Sequence, residues 1–139
     1  MSVLPNISKL TSSGAKKLLD VRILVVDDSD DNRLLASRIL SKFGAHVELA
    51  CNGAEGFRKV LDGNFDLVLM DLQMPVMDGY EATRSLRRAG IETPVVALTA
   101  HSMSEDRLQT QVAGFDGHLT KPIVVPAMIQ MIEGFVHPE

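Results

Sequence analysis

A chain of 139 residues, 45% hydrophobic and 23% charged, has the size and balance of one globular domain with a real core, not of a disordered segment. Its formal charge of -4 argues against nucleic acid as the main partner, since phosphate binding wants a basic surface, and no apolar run nears the ~18 residues of a membrane-crossing helix. Cys51 stands alone, which excludes a disulfide framework and a paired-cysteine metal motif, and a reducing cytoplasm is the default location.

Residues 1–20 read as an N-terminal extension or linker, with Ser, Thr and Gly at the centre and a short amphipathic helix near Ala15–Leu19. Pro5, Asn6, Ser8 and Lys9 break any apolar core of a signal peptide. Residues 21–137 then alternate between two periods. "RILVVDD" is a short branched apolar run, which suits a strand buried on both faces. "DNRLLASRILSKFG" is helical, with Leu35, Ile39 and Phe43 at spacing four and Gly44 placed to stop it. "HVELA" is a second strand ending near Cys51, which reads as a small buried hydrophobe, and "GAEGFRKVLDG" is a second helix. "FDLVLMD" is a third strand, "DGYEATRSLRRAG" a third helix, "TPVVALT" a fourth strand and "SEDRLQTQVAG" a fourth helix. The strand "HLT" and a helix over Val125–Val136 finish the chain, with Pro126 acceptable in the first helical turn. The apolar residues of this last helix span roughly 160° of its circumference, more than a minimal core stripe. Val125, Ile129, Ile132 and Val136 are placed in the core, while Met131 and Phe135 fall at its margin, either packed or offered to a partner.

Strands alternating with helices mean repeated βαβ units around a parallel sheet, whose ligand site lies outside the carboxyl ends of the strands. Asp27 and Asp28 end the first strand, Asp71 the third and Thr99 the fourth, and the fifth runs into Lys121, so all these polar groups meet at one edge. Carboxylates ~4 Å apart repel by several kcal/mol at the effective dielectric of a protein surface. Lys121 supplies one compensating charge and a divalent cation two; oxygen ligands favour Mg²⁺ or Mn²⁺ over zinc. Cation, ammonium and the Thr99 hydroxyl are the groups that hold a phosphoryl group during transfer, and a carboxylate there can itself be the nucleophile. Each residue taken singly also suits a plainer role: a helix cap or turn former for the aspartates, a strand residue for Thr99, a solvated amine for Lys121. Asp30, Asp31 and Asn32 read as helix caps rather than ligands.

The stretches "VVDDSDDNR", "LVLMDLQMPVMDG", "VVALTA" and "HLTKPI", in this order, resemble the response-regulator receiver domain of two-component signalling, most nearly receivers of hybrid sensor histidine kinases. The resemblance covers roughly residues 21–136 and implies a flavodoxin-like (βα)5 doubly wound α/β fold, a five-stranded parallel sheet of order 2-1-3-4-5. It further implies that Asp71 is the phosphoacceptor, that Asp28 binds Mg²⁺ (or Mn²⁺) directly and Asp27 through water, and that the Gln73 backbone carbonyl completes the protein ligands. Lys121 would pair with the phosphoryl oxygens ahead of a cis bond to Pro122, and Thr99 would move toward the phosphoryl group on activation. His118 stands where many receivers carry a switching Tyr or Phe. Gln73, Met74, Ala100 and His101 would rim the pocket, and Gln73 and His101 would influence the phosphoryl lifetime. The partners implied are a histidine kinase or a histidine phosphotransfer domain, including kinase domains of the same protein, with no nucleic acid or membrane contact and with room for a weak dimer. The output face is the fourth helix, fifth strand and fifth helix. The Ser/Thr/Gly-containing start favours a piece of a larger protein over a free-standing regulator. Two other functions compete: a docking module that keeps the fold without phosphorylation, and a haloacid-dehalogenase-like phosphatase. The phosphatase wants a second acid two residues after the nucleophile, where this chain has Gln73.

Overall fold

A computed structural model describes residues 17–100 and 104–137, the side chains of 104–107 excepted. Its elements alternate as expected: β1 (Arg22–Val26), α1 (Asp30–Lys42), β2 (His46–Ala50), α2 (Gly53–Asp62), β3 (Leu67–Asp71), α3 (Gly79–Arg88), β4 (Val95–Thr99), α4 (Ser104–Ala113), β5 (Gly117–Thr120) and α5 (Val125–Val136). The strands form one sheet of order β2-β1-β3-β4-β5, every neighbouring pair parallel. That is the flavodoxin-like arrangement. β3 and β4 are buried at every position, and their apolar runs, Leu67–Met70 and Val95–Leu98, are what a strand covered on both faces requires.

Successive side chains of a strand leave on opposite faces, so each central strand supplies two cores. Ile23, Val25, Leu67, Leu69, Val96 and Leu98 pack with Leu40 of α1 and Met128, Ile129 and Ile132 of α5. Leu24, Val26, Val68, Met70, Val95 and Ala97 pack with Val60, Ala82, Leu86 and Ala113 of the other three helices. Short polar side chains start the helices: Ser29, Asn52 and Asp78 accept the N–H groups of Asn32, Glu55 and Glu81. Glycines in the left-handed region follow α1, α3 and α4, at Gly44, Gly90 and Gly114.

The structure corrects several expectations. Ser29, not Asp30 or Asp31, caps α1. On α1 the stripe against the core runs through Ala36, Ile39, Leu40 and Phe43, while Leu35 is 58% exposed. Cys51 is exposed, because Ala50 takes the inward position at the end of β2 and the next residue turns out. Met128, not predicted for the core, is buried, while Val125 and Val136 are only partly so. Met131 and Phe135 lie against Gly117 of β5. Lys17–Asp20 form a turn, and the rest of the helix expected from Ala15 lies outside the described residues. The packed unit begins earlier than residue 21: Leu18 is fully buried, its N–H donates to the Phe43 carbonyl at 2.8 Å, and Asp20 N–H to Gly44 at 3.1 Å.

At the sheet edge far from the strand ends, Arg87 of α3 binds the carbonyls of Gly114, Ile91 and Thr93 at 2.8–2.9 Å and Asp116 Oδ2 at 2.8 Å. The same Asp116 oxygen accepts Val95 N–H, joining α3 to the starts of β4 and β5.

Thr83 is fully buried in α3, and its hydroxyl has no hydrogen-bond partner. Thr83→Val removes that polar group at nearly constant shape and is expected to stabilise the fold by about 1 kcal/mol. A raised urea midpoint at unchanged slope checks this; a lowered midpoint contradicts it.

Candidate phosphoacceptor site

β3 carries Asp71 to the carboxyl edge of the sheet, where the chain turns through Met74-Pro75 before α3. The turn is close-packed. Leu72 N–H donates to Leu98 and Gly79 N–H to Leu72, so α3 begins against the end of β3. A Cβ on Gly79 would lie 2.3 Å from the Asp71 carbonyl oxygen. Gly53, at the start of α2, meets the Met77 carbonyl just as closely, at 2.3 Å. Glycine at both positions is what lets two helix starts crowd this loop.

β1 delivers the adjacent acids. Asp27 N–H extends the ladder to Ala50 at 3.1 Å, and the Asp27 side chain is only 2% exposed. Ser29 N–H donates to its Oδ1 at 2.9 Å and the Asn32 amide to its Oδ2 at 3.4 Å. Asp28 points into solvent, and carboxylate oxygens of Asp27, Asp28 and Asp71 lie within 4.8 Å of one another. From the other side Lys121 Nζ stands 3.3 Å from Asp71 Oδ1 and 3.6 Å from Asp27 Oδ2. Lys121 N–H is held by the Thr99 carbonyl at 2.7 Å, and the Lys121–Pro122 peptide is cis.

The remaining predicted residues surround this cluster at different depths. Thr99 ends β4 and is buried. Gln73 is exposed, and its N–H reaches Asp71 Oδ1 at 3.4 Å. Met74 packs partly against the core, and Ala100 is exposed. His118 is half-buried opposite Ala97, beside Thr110 and Gln111 of α4. His101 and Met103 lie outside the described residues. Arg33 was not singled out in the sequence: its guanidinium donates to the Asp27 carbonyl at 2.6 Å and pairs with Asp30. The available signal was a cation one helical turn beyond an acid pair.

Burial first, then the charge of Asp27, pushes the Asp71 carboxyl above the usual range, against the opposing pull of Lys121 and Gln73 N–H. An acid with a raised value holds its proton more tightly folded than unfolded. Its charge therefore burdens the fold at neutral pH, and the burden lifts as pH falls through the folded value toward 3.8. Asp71→Asn removes the charge at constant shape. Without divalent cations it is expected to raise the melting temperature by several degrees at neutral pH, with the gain shrinking on acidification. Circular dichroism melts at the two pH values check this, and a melting temperature below wild type at neutral pH contradicts it.

Hard carboxylate oxygens, close together and open to solvent on the Asp28 side, suit a small divalent cation. Residues 23–133 match the response regulator receiver domain. The chain belongs to that family. Among curated relatives the receiver is 40% identical over 116 residues to the sensor histidine kinase GacS of Pseudomonas protegens, a match covering 80% of this chain and 13% of that protein. It is 38% identical over 132 residues to probable histidine kinase 2 of Oryza sativa, covering 82% of this chain. The receiver thus spans 13% of the length of these relatives. Among solved structures it resembles the receiver domain of sensor histidine kinase PA1611 from Pseudomonas aeruginosa, which has a magnesium ion coordinated in its active site cleft. The TM-score is 0.79 at 31% identity, covering 85% of this chain and 98% of that one. A chain of the co-crystal of the Saccharomyces cerevisiae phosphotransfer protein Ypd1 with the Ssk1 receiver domain matches at TM-score 0.81 and 28% identity, covering 86% of this chain and 90% of that one. Among the described residues no helix is long and apolar enough to cross a membrane.

Proposed function

We propose that this receiver takes a phosphoryl group from a partner's phosphohistidine onto Asp71 and signals through the face made by α4, β5 and α5. The observation that carries the reading is the buried Asp71 carboxylate held 3.3 Å from the Lys121 ammonium, with two further carboxylates inside metal-binding reach. An Asp71 oxygen attacks phosphorus in line, the P–N bond breaks, and its electron pair returns to the imidazole. Asp28 and Asp71, the Gln73 carbonyl and, through water, Asp27 would hold Mg²⁺ (or Mn²⁺), which supplies charge neutralisation for the transferring oxygens. Lys121 exchanges its carboxylate partners for a phosphoryl oxygen, and the Thr99 hydroxyl hydrogen-bonds another. Both contacts exist only in the phosphorylated state, so they shift the equilibrium toward the active conformation. His118, on β5 beside α4, would carry that event into the output face.

The donor must reach Asp71 from outside, so it docks over the exposed apolar rim of the pocket. Leu34 and Leu35 of α1, Val76 in the loop after β3 and Val124 in the loop after β5 are each at least 50% exposed. A cavity of about 220 Å³ beside Lys121, lined by Leu35, Ile39 and Met128 among others, accepts an apolar side chain of the donor. That donor is a histidine phosphotransfer or kinase domain, on a partner or in the same protein, in the cytoplasm. The receiver itself is regulatory, with phosphoryl transfer and loss at Asp71 its sole chemistry.

Incubation with acetyl phosphate and Mg²⁺ followed by intact mass tests the reading. One added phosphoryl mass, absent without Mg²⁺ and absent in Asp71→Asn, is expected. No added mass in the wild type, or a signal that survives Asp71→Asn, overturns it.

A further inference from the structure

The first turn of α1 grips Asp27 at both ends. Its carboxylate oxygens take the Ser29 N–H and the Asn32 amide, and its main-chain carbonyl takes Arg33 Nη1 at 2.6 Å. The second guanidinium nitrogen pairs with Asp30, and the Arg33 side chain is only 16% exposed although it is long and charged. The Asp27 carbonyl belongs to the planar peptide that leads into Asp28, so fixing that oxygen fixes the plane from which Asp28 departs. A guanidinium holds a carbonyl and a carboxylate in one rigid planar geometry, which a rotatable ammonium does not fix.

We infer that Arg33 is a positioning residue for the Asp27–Asp28 pair, holding the two carboxylates in the relative placement that a divalent cation requires. The inference rests on the metal-dependent reading of this site. Its sign is diagnostic. Arg33 is a cation beside the acids, so by Coulomb repulsion alone its loss would tighten Mg²⁺ binding. As a positioning residue, its loss loosens binding, in the 10–100-fold range typical of groups that orient metal ligands.

Calorimetric Mg²⁺ titration of the wild type, Arg33→Met, Arg33→Lys and Asp30→Ala separates the two, with apo melting curves run alongside. Mg²⁺ dissociation constants are expected to rise at least about tenfold in Arg33→Met, and several-fold in Arg33→Lys, which keeps the charge but not the fork. Asp30→Ala, which leaves the Asp27 contact in place, is expected to stay within about twofold of wild type. An unchanged or tighter constant in Arg33→Met overturns the inference. If Arg33→Met does not fold, wild-type affinity in Arg33→Lys overturns it equally. A wild type that binds no Mg²⁺ sinks the metal site itself, and the inference with it.

Discussion

Gly79→Ala is expected to lower the melting temperature by roughly 10 °C and to abolish phosphoryl uptake by Asp71 in the same protein. The added methyl would sit 2.3 Å from the Asp71 carbonyl oxygen and 3.0 Å from Met70 Cγ. The Met70 side chain can yield; the carbonyl belongs to the strand end and cannot. Relief requires α3 to back away from β3, which breaks the Gly79–Leu72 hydrogen bond and turns the Asp71 peptide. Overpacking of this kind typically costs about 1–3 kcal/mol, with more where backbone is the obstacle. Stability and chemistry fall together because one peptide group serves both. A thermal melt and acetyl phosphate labelling check the pair of effects, and a variant that melts and labels as wild type refutes the close approach.

Arg87→Ala is expected to separate the two properties, costing about 3–4 kcal/mol of stability while Asp71 still takes up phosphoryl groups. Most of the Arg87 acceptors are main-chain carbonyls, so the loss exceeds that of an exposed ion pair, whose median is about 0–1 kcal/mol. Asp116 would keep Val95 N–H but lose its cation. Amide exchange at Val95 should accelerate together with global unfolding, and Arg87→Lys should recover only a small part. A denaturation midpoint equal to wild type would show the clamp to be idle.

The same contrast explains what was legible in the sequence. Strand and helix order follows from period and punctuation, so α5 was read at Val125–Val136 as observed, and the strand-end positions of Asp27, Asp71 and Thr99 followed from topology. Side-chain depth is a tertiary property and was less legible. The spacing-four series Leu35, Ile39 and Phe43 marked the helix, but only Ile39 and Phe43 of it pack on the core, beside Ala36 and Leu40. Cys51 looked like a core residue by type and lies one pleat too far. Arg87 and Arg33 carry no local sign of their roles, because the carbonyls they bind become neighbours only once the chain has folded.

The buried Leu18 gives the N-terminal stretch a mechanical meaning. Chain entering the domain is tied first to the Phe43 and Gly44 carbonyls and, through Lys17, to Glu133 of α5 at 3.8 Å. This anchor sits at the amino ends of the strands, a strand length of roughly 16 Å from the acid pocket. A load applied at Lys17 is therefore borne by the α1–α5 layer. The geometry around Asp71, at the opposite ends of the strands, stays undeformed by such a load.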